Sequence, residues 1–223
     1  MRPMVSALMA ALLLTASACS NEPPEKAGAA GSSNSAFDES DSLSQSSGQS
    51  AATNSGAFGF RMGQRIEEIN ANATKNAGWF ETTAPPMPSR LFPEIVIQAT
   101  KASGVCFVKG VGENFTSDSN GLSVKSELEK LRATLDLKYG PSELNDQLVT
   151  GSIWNEPEDW MMSLLKKERI YFIEWSPPTG DIKTVSIIPN ASSTDSAYIT
   201  IEYYFKNSDK CDEDIRRLDA ASL

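Results

Sequence analysis

Apolar residues recur at intervals of three and four along residues 123–139, which is the spacing of one face of an α-helix. The apolar positions are Val124, Leu128, Leu131, Leu135 and Tyr139. Side chains at this spacing lie on the same side of a helix with about 3.6 residues per turn. Gly140 and Pro141 follow, and they favour an end here because glycine adopts the left-handed cap conformation and proline cannot continue a helix. The pattern predicts a helix over residues 123–139.

Short apolar runs bounded by turn-forming residues predict six β-strands. The expected ranges are 79–83, 94–99, 104–111, 170–175, 182–188 and 198–205. In the last of these, Ile199, Ile201 and Tyr203 alternate with polar residues, which predicts one buried face and one wetter face. Short connections join the last three strands, so we expect them to form an antiparallel meander.

Three more helices complete the predicted order of elements. A short helix is expected around Ile66 and Ile69, and a final helix at residues 209–218. Another begins near Pro157, because proline suits the first turn and the acidic residues after it favour the positive end of the helix dipole. The order predicts an α+β fold, an antiparallel meander with helices packed on one face. It also suggests two similar helix-plus-three-strand halves, although no residue-level repeat accompanies them.

The composition changes near residue 58. Between residues 20 and 57, 25 of 38 residues are Ser, Gly, Ala or Asn, and such a segment buries too little apolar surface to offset its ordering entropy. We therefore expect residues 19–57 to form a disordered tether behind a modified N-terminus. Residues 58–223 have a length that suits one compact domain with a single core.

Residues 1–18 have the pattern of a signal peptide. Met1 and Arg2 carry positive charge, and residues 5–18 are almost all apolar or small, with no charge among them. This run is shorter than the roughly 20 apolar residues that cross a bilayer, and no later apolar segment approaches that length without a charge. The sequence predicts a cleaved signal peptide and no transmembrane helix.

The stretch that ends the signal peptide, Thr-Ala-Ser-Ala-Cys at residues 15–19, resembles the lipobox of bacterial lipoproteins. Ala16 departs from that pattern, which most often has leucine there. The resemblance implies acylation of Cys19, with palmitate among the fatty chains that hold the protein at a membrane. Ser20 replaces the aspartate that retains lipoproteins at the inner membrane, which implies the outer membrane, facing the periplasm. The alternative is a soluble secreted protein, because Ala16 and Ala18 also fit an ordinary secretory cleavage site.

In an oxidising compartment, three cysteines can form one disulfide and leave one thiol unpaired. A lipidated Cys19 leaves two cysteines, which can pair. We therefore expect a disulfide between Cys106 and Cys211, since exported proteins keep such bonds. The alternative is two separately buried free thiols.

The chain has no histidine, and its formal net charge is -9. The absence of histidine excludes Ser-His-Asp and Cys-His catalysis and the histidine-containing zinc sites. Phosphate-binding glycine motifs and EF-hand loops are also missing. The acidic balance, without a basic cluster, disfavours nucleic acid as a partner. We therefore expect a protein that is not an enzyme and that has no cofactor and no metal.

Residues 154–160 place acidic residues between two indoles, as some sugar-binding clefts do. Trp154, Trp160 and Glu156 are the candidate contacts to a partner or a glycan, because tryptophan offers a large contact area with a polar edge. Core packing is the usual alternative for such tryptophans. A carboxylate hydrolase would need one acid protonated by an apolar pocket, whereas acids at a helix start are favoured in the ionised form.

The element order is similar to that of the helix-plus-antiparallel-sheet modules in β-lactamase inhibitor proteins and in a small lipoprotein of the outer-membrane barrel assembly machinery. This resemblance rests on element order alone, and function does not follow from fold. Our leading hypothesis is a non-enzymatic envelope lipoprotein whose tethered domain binds another envelope protein, as an inhibitor or assembly factor. The alternatives are a module that binds peptidoglycan or another glycan and, third, a carboxylate-based hydrolase.

Overall fold

The computed structural model describes residues 57–177 and 179–221. The predicted signal peptide, Cys19 and almost all of the tether lie outside the described residues. The described strands are β1 (Asn72–Ala73), β2 (Trp79–Thr82), β3 (Glu94–Thr100), β4 (Gly104–Val111), β5 (Phe115–Thr116), β6 (Glu143–Leu148), β7 (Arg169–Trp175), β8 (Ile182–Ala191) and β9 (Ser196–Phe205). The helices are α1 (Leu122–Tyr139), α2 (Trp160–Leu165) and α3 (Ser208–Ala221). None of the described helices is both long and apolar enough to span a bilayer.

All nine described strands belong to one antiparallel sheet in the order β1-β2-β3-β4-β9-β8-β7-β6, with β5 paired to β9. Two meanders, β2-β3-β4 and β7-β8-β9, meet where β4 pairs with β9 at the middle of the sheet. The predicted α+β class, an antiparallel sheet with packed helices, is confirmed.

The main core lies between the sheet and the pair α1 and α2. The alternation expected in β9 is present over its second half, where Ile201 and Tyr203 are buried and Tyr204 is exposed. Ile199 is also buried, but so is Thr200, which was expected on the wetter face. Val124 and Leu128 of α1 are fully buried against the face of Ile201. The fully buried Trp175 completes the contact, since its indole N–H donates to Asp136 Oδ1 at 2.8 Å. The apolar stripe of α1 is therefore the face that closes the core.

Helix α3 packs on the opposite face of the sheet, so the predicted placement of helices on one face holds for α1 and α2 only. A β-bulge in β4 explains this position. Gln98 pairs with Phe107 and Ala99 with Val105, which leaves Cys106 as the extra residue. Cys106 forms the predicted disulfide with Cys211 of α3, with the two Cα atoms 6.2 Å apart. The bulge directs a cysteine out of the main core, where the C-terminal helix can reach it.

Strands β7 and β8 separate over half of their length. They pair only at three positions, from Ile173↔Ile187 to Trp175↔Val185. The Ile199 carbonyl of β9 accepts from the Gly112 N–H at 2.9 Å, so the backbone of Ile199 faces β4. Pro189 of β8 pairs with Ile199, so its own backbone groups must point to β7. Because proline has no N–H, it cannot donate a hydrogen bond to β7.

A cavity of about 530 Å³ occupies this separation. Residues of α2, β7, β8 and β9 line it, among them Leu164, Tyr171, Ile188 and Tyr198. We name the separation the β7/β8 seam.

Two predictions of local structure were wrong. The predicted order lacks β1, β5 and β6. The first two have only two residues each, and β6 is polar at most of its positions and so has no apolar alternation to reveal it. The short helix expected at Ile66 and Ile69 is a single 3-10 turn, Ile66–Glu68. The predicted helix near Pro157 begins as a 3-10 turn, Pro157–Asp159, and continues as α2.

Candidate functional site

The longest of the strands that sequence reasoning missed, β6, forms one edge of the sheet. β6 pairs with β7 at six consecutive positions, from Glu143↔Glu174 to Leu148↔Arg169, and no other described strand lies beyond it. The Val149 N–H donates to the Glu168 carbonyl at 2.7 Å, so the backbone groups of Val149 point toward the β7 side. This contact sets the phase of the ladder, that is, which residues of β6 direct their backbone groups to β7. Backbone groups alternate in direction along a strand.

This phase decides which backbone groups are free. Residues 143, 145 and 147 direct their N–H and C=O groups to β7. Those of Leu144, Asp146 and Leu148 therefore point away from the sheet. We name these three residues and their outward backbone groups the β6 edge.

Contacts from neighbouring elements hold the β6 edge in place. The Arg169 guanidinium is mostly buried, pairs with the Asp146 carboxylate and donates to Ser163 Oγ at 3.0 Å. At the start of the strand, Arg132 Nε of α1 donates to Ser142 Oγ at 2.8 Å. The strand is thus tied to α1 and α2 as well as to β7.

Apolar side chains surround the β6 edge. Leu144 is 46% exposed, Val149 46%, Ile153 72% and Ile170 51%. They lie on β6, on its neighbour β7 or in the turn that follows β6. They are four of the ten large apolar side chains that are exposed in the described chain.

Two of the predicted contact residues lie in the loop after β6. Trp154 is half-buried, and its backbone N–H donates to Ser152 Oγ at 3.2 Å. Glu156 is exposed and directly precedes the 3-10 turn Pro157–Asp159, as expected for an acid at a helix start. An exposed Glu156 lacks the apolar surroundings that a protonated catalytic acid needs.

Trp160 is a core residue, in agreement with the core-packing alternative for these tryptophans. The indole is only 3% exposed and packs edge-on against the Tyr171 ring with centroids 5.4 Å apart. Lys125 Nζ lies 4.4 Å from the Trp160 ring centroid, and burial lowers the pKa of this lysine. The sequence offered two similar indoles six residues apart, and only the packing of α2 against β7 distinguishes them.

A second group of polar side chains, also not predicted, lines a cavity of about 450 Å³ beside α3. The Tyr204 hydroxyl donates to Glu202 Oε2 at 3.2 Å. Burial, followed by the negative charge of Glu202, raises the pKa of Tyr204 to about 12. Lys109 pairs with Glu202 at 3.1 Å and Lys183 with Asp209 at 3.0 Å, so part of this acidic charge is already neutralised.

A third cavity, of about 590 Å³, lies between α1, the Pro-rich segment before β3 and the segment after β4. Phe92, Phe115 and Leu131 give it apolar walls, and Arg90 and Lys130 lie at its rim. Within residues 57–177 and 179–221, no three acidic or cysteine side chains are grouped so that they could hold a metal ion.

Comparison of the chain with protein-family models, with curated proteins and with solved structures finds no match. The resemblance to lipoproteins therefore rests on residues 15–19.

Proposed function

We propose that the chain is a non-enzymatic lipoprotein of the cell envelope whose tethered domain binds another envelope protein, as an inhibitor or assembly factor. Acylated Cys19 anchors it at the outer membrane, facing the periplasm. The lipobox-like stretch supports the anchor. The disulfide between Cys106 and Cys211 is in keeping with an oxidising compartment.

The β6 edge is the observation that carries the protein-binding proposal. Unpaired strand edges are sites where another polypeptide can pair, and proteins usually shorten, charge or cover them. This one is six residues long. Exposed Leu144 lies on it, exposed Ile170 lies on the neighbouring strand β7, and exposed Ile153 lies in the loop that follows it. Apolar side chains beside free backbone donors and acceptors fit a protein partner better than a small polar ligand.

Photo-cross-linking in living cells tests this proposal. A photoreactive amino acid at Ile153 should yield one reproducible cross-linked envelope protein. The same group at Lys101, an exposed residue in the β3–β4 turn, serves as the control and should not yield it. The proposal fails if both positions give the same products or if Ile153 gives none.

A glycan-binding module is the second candidate, because the half-buried indole of Trp154 is accessible for stacking on a sugar ring. Such a module sediments with purified peptidoglycan, and Trp154→Ala should release it. The control is Leu91→Ala, which replaces an exposed apolar residue in the segment before β3 and should not release it. A protein-binding domain does not sediment in either form.

A carboxylate-based hydrolase is the third candidate. Full activity in cells of a variant lacking Glu156, Glu158 and Asp159 would exclude catalysis by these acids.

The anchor is tested separately. Labelled palmitate should enter the full chain and not Cys19→Ala, and the variant should move from the membrane to the soluble fraction. Label in the variant, or a soluble unsubstituted protein, would refute the anchor without bearing on the β6 edge.

A further inference from the structure

We propose that the β6 edge binds its partner by strand addition: an extended segment of the partner, carrying alternate apolar and basic side chains, pairs with β6 as a tenth strand. This inference rests on the proposed protein-binding function and specifies the chemistry of the segment that is bound. The backbone geometry, the unprotected state of the edge and the charges beside it each support it.

The backbone of β6 offers a complete template. Leu144, Asp146 and Leu148 present three N–H and three C=O groups on the side away from β7, as the phase set by Val149 requires. Main-chain hydrogen bonds to such a row give affinity, and alternate side chains give specificity. The six positions match β7 without a register shift, so the row is continuous.

The usual devices that protect an edge are weak or missing here. The opposite end of the sheet is β1, which is only two residues long. β6 has no proline, lysine or bulge. Its Asp146 carboxylate, which could repel an incoming strand, is paired with Arg169. The sheet is therefore protected at one end and open at the other.

The charges beside the β6 edge define the partner segment. Glu143 lies directly opposite Glu174 on the face away from α1, and like charges in that position are destabilising. No ion pair within the described residues involves either of them. A Lys or Arg from an added strand would neutralise this pair. On the α1 side, Leu144 and Leu148 favour apolar residues.

A second copy of the chain fits less well. Symmetric antiparallel pairing over the whole β6 edge would leave the Glu143–Glu174 pair without a Lys or Arg from the added strand, because β6 contains no basic residue. Each chain also has a formal net charge of -9, so two copies repel each other. A basic segment of a different protein avoids both problems.

Amide exchange of the full chain in a non-ionic detergent, with defined probes, tests the inference. The first probe is an eight-residue peptide of alternating Lys and Val, and its control alternates Glu and Val. With the basic peptide at about nine times its Kd, exchange at Asp146 and Leu148 should slow about tenfold. The acidic peptide should leave exchange unchanged, and added salt should reduce the effect of the basic one.

Matched variants test the role of the backbone. Leu144→Pro removes an outward N–H that takes no part in the β6–β7 ladder, so the fold and its free energy of unfolding should change little. The peptide should protect Asp146 and Leu148 at least about fivefold less in this variant. Leu144→Thr loses the leucine side chain but keeps the N–H, and should retain most of the protection. If Leu144→Pro does not fold, the comparison of the two peptides on the unsubstituted chain decides.

Three results would overturn strand addition: equal protection by both peptides, full protection in folded Leu144→Pro, or protection that grows with protein concentration without peptide, which indicates a second copy. The proposed function fails independently. If Ile153 cross-links a partner that binds Leu144→Pro as tightly as the unsubstituted chain, protein binding stands and strand addition is rejected.

Discussion

Trp160 occupies its position in the core because Gly121 has no side chain. A Cβ at Gly121 would lie 2.1 Å from the Trp160 ring, and the φ of Gly121 is +68°. Gly121→Ala should therefore lower the free energy of unfolding by roughly 2–5 kcal/mol, the sum of backbone strain and overpacking. Urea denaturation measures the loss.

Gly151→Ala is the matched control, because Gly151 has a φ of +86° and open space around it. It should lose only the backbone part, roughly 1–2 kcal/mol. Equal losses in the two variants would mean that the Trp160 contact contributes nothing beyond the backbone conformation.

Asp214 fastens α3 to the β3–β4 turn through hydrogen bonds from Ser103 Oγ at 2.6 Å and Thr100 Oγ1 at 2.8 Å. Both hydrogen bonds lower the pKa of Asp214 in the folded state, and the one from Ser103 has the larger effect. The carboxylate thus contributes stability above its ordinary pKa of about 4, and the contribution is lost as pH falls through the lowered folded pKa. Asp214→Asn should flatten the acid side of the pH–stability curve, measured by urea midpoints from about pH 7 to pH 2. The idea fails if both curves fall in parallel.

At the residue scale, the sequence was sufficient where few chemical pairings are possible. It was not sufficient where tertiary packing determines whether a side chain is buried. Cys106 and Cys211 are the only pair left once Cys19 is set aside, so their bond was predictable. Trp154 and Trp160 have similar sequence surroundings, and only the tertiary contact with Gly121 and Tyr171 buries the second. The roles of Asp214 and Tyr204 depend on contacts distant in sequence, and no local pattern signals them.

At the scale of secondary-structure elements, the disulfide joins α3 to the bulge of β4 across 105 residues of sequence. Replacing both cysteines, Cys106→Ala with Cys211→Ala, should lower the free energy of unfolding by about 4–5 kcal/mol, because the bond restricts the unfolded chain. Denaturant titration measures the difference.

Alkylation provides the control for this experiment. Under native conditions without reductant, neither Cys106 nor Cys211 of the unsubstituted chain should react, since both are bonded and fully buried. A stability unchanged by the double replacement would show that the packing of α3, rather than the bond, holds the helix on the sheet.

The elements that depend on apolar periodicity were predicted within a few residues. The range of β4, Gly104–Val111, agrees with its expectation, and α1 begins one residue early, at Leu122. β6 could not be found in this way, because Glu143, Asn145 and Gln147 on one face leave only Leu144 and Leu148 to mark the other. The strand forms because β7 supplies its hydrogen-bond partners, which is a tertiary effect.

At the scale of the whole molecule, the β7/β8 seam divides the sheet. Outside the three paired positions, the Tyr171 N–H points toward β8. Pro189 of β8 has no N–H to donate, so β7 and β8 form no regular ladder there. Native-state amide exchange should therefore be faster at Arg169 and Tyr171 than at Ile173 and Trp175, which point to the same side within the paired region. Equal protection at all four amides would contradict this account of the seam.

The fold class followed from element order, but the arrangement of the two meanders did not. Pairing of β4 with β9 joins segments almost a hundred residues apart, and local patterns carry no information about such contacts. The position of α3 likewise depends on the bulge at Cys106, since an unbulged strand would turn that side chain to the other face. The sequence thus predicted the α+β class and most of its elements, and long-range pairing determined their arrangement.

The order of Cys106 and Cys211 along the chain has a consequence for folding. Because Cys211 follows the last described strand, β9, the bond can close only after all nine described strands have been synthesised. A protein truncated before residue 211 would therefore keep Cys106 as an unpaired thiol in the middle of its sheet.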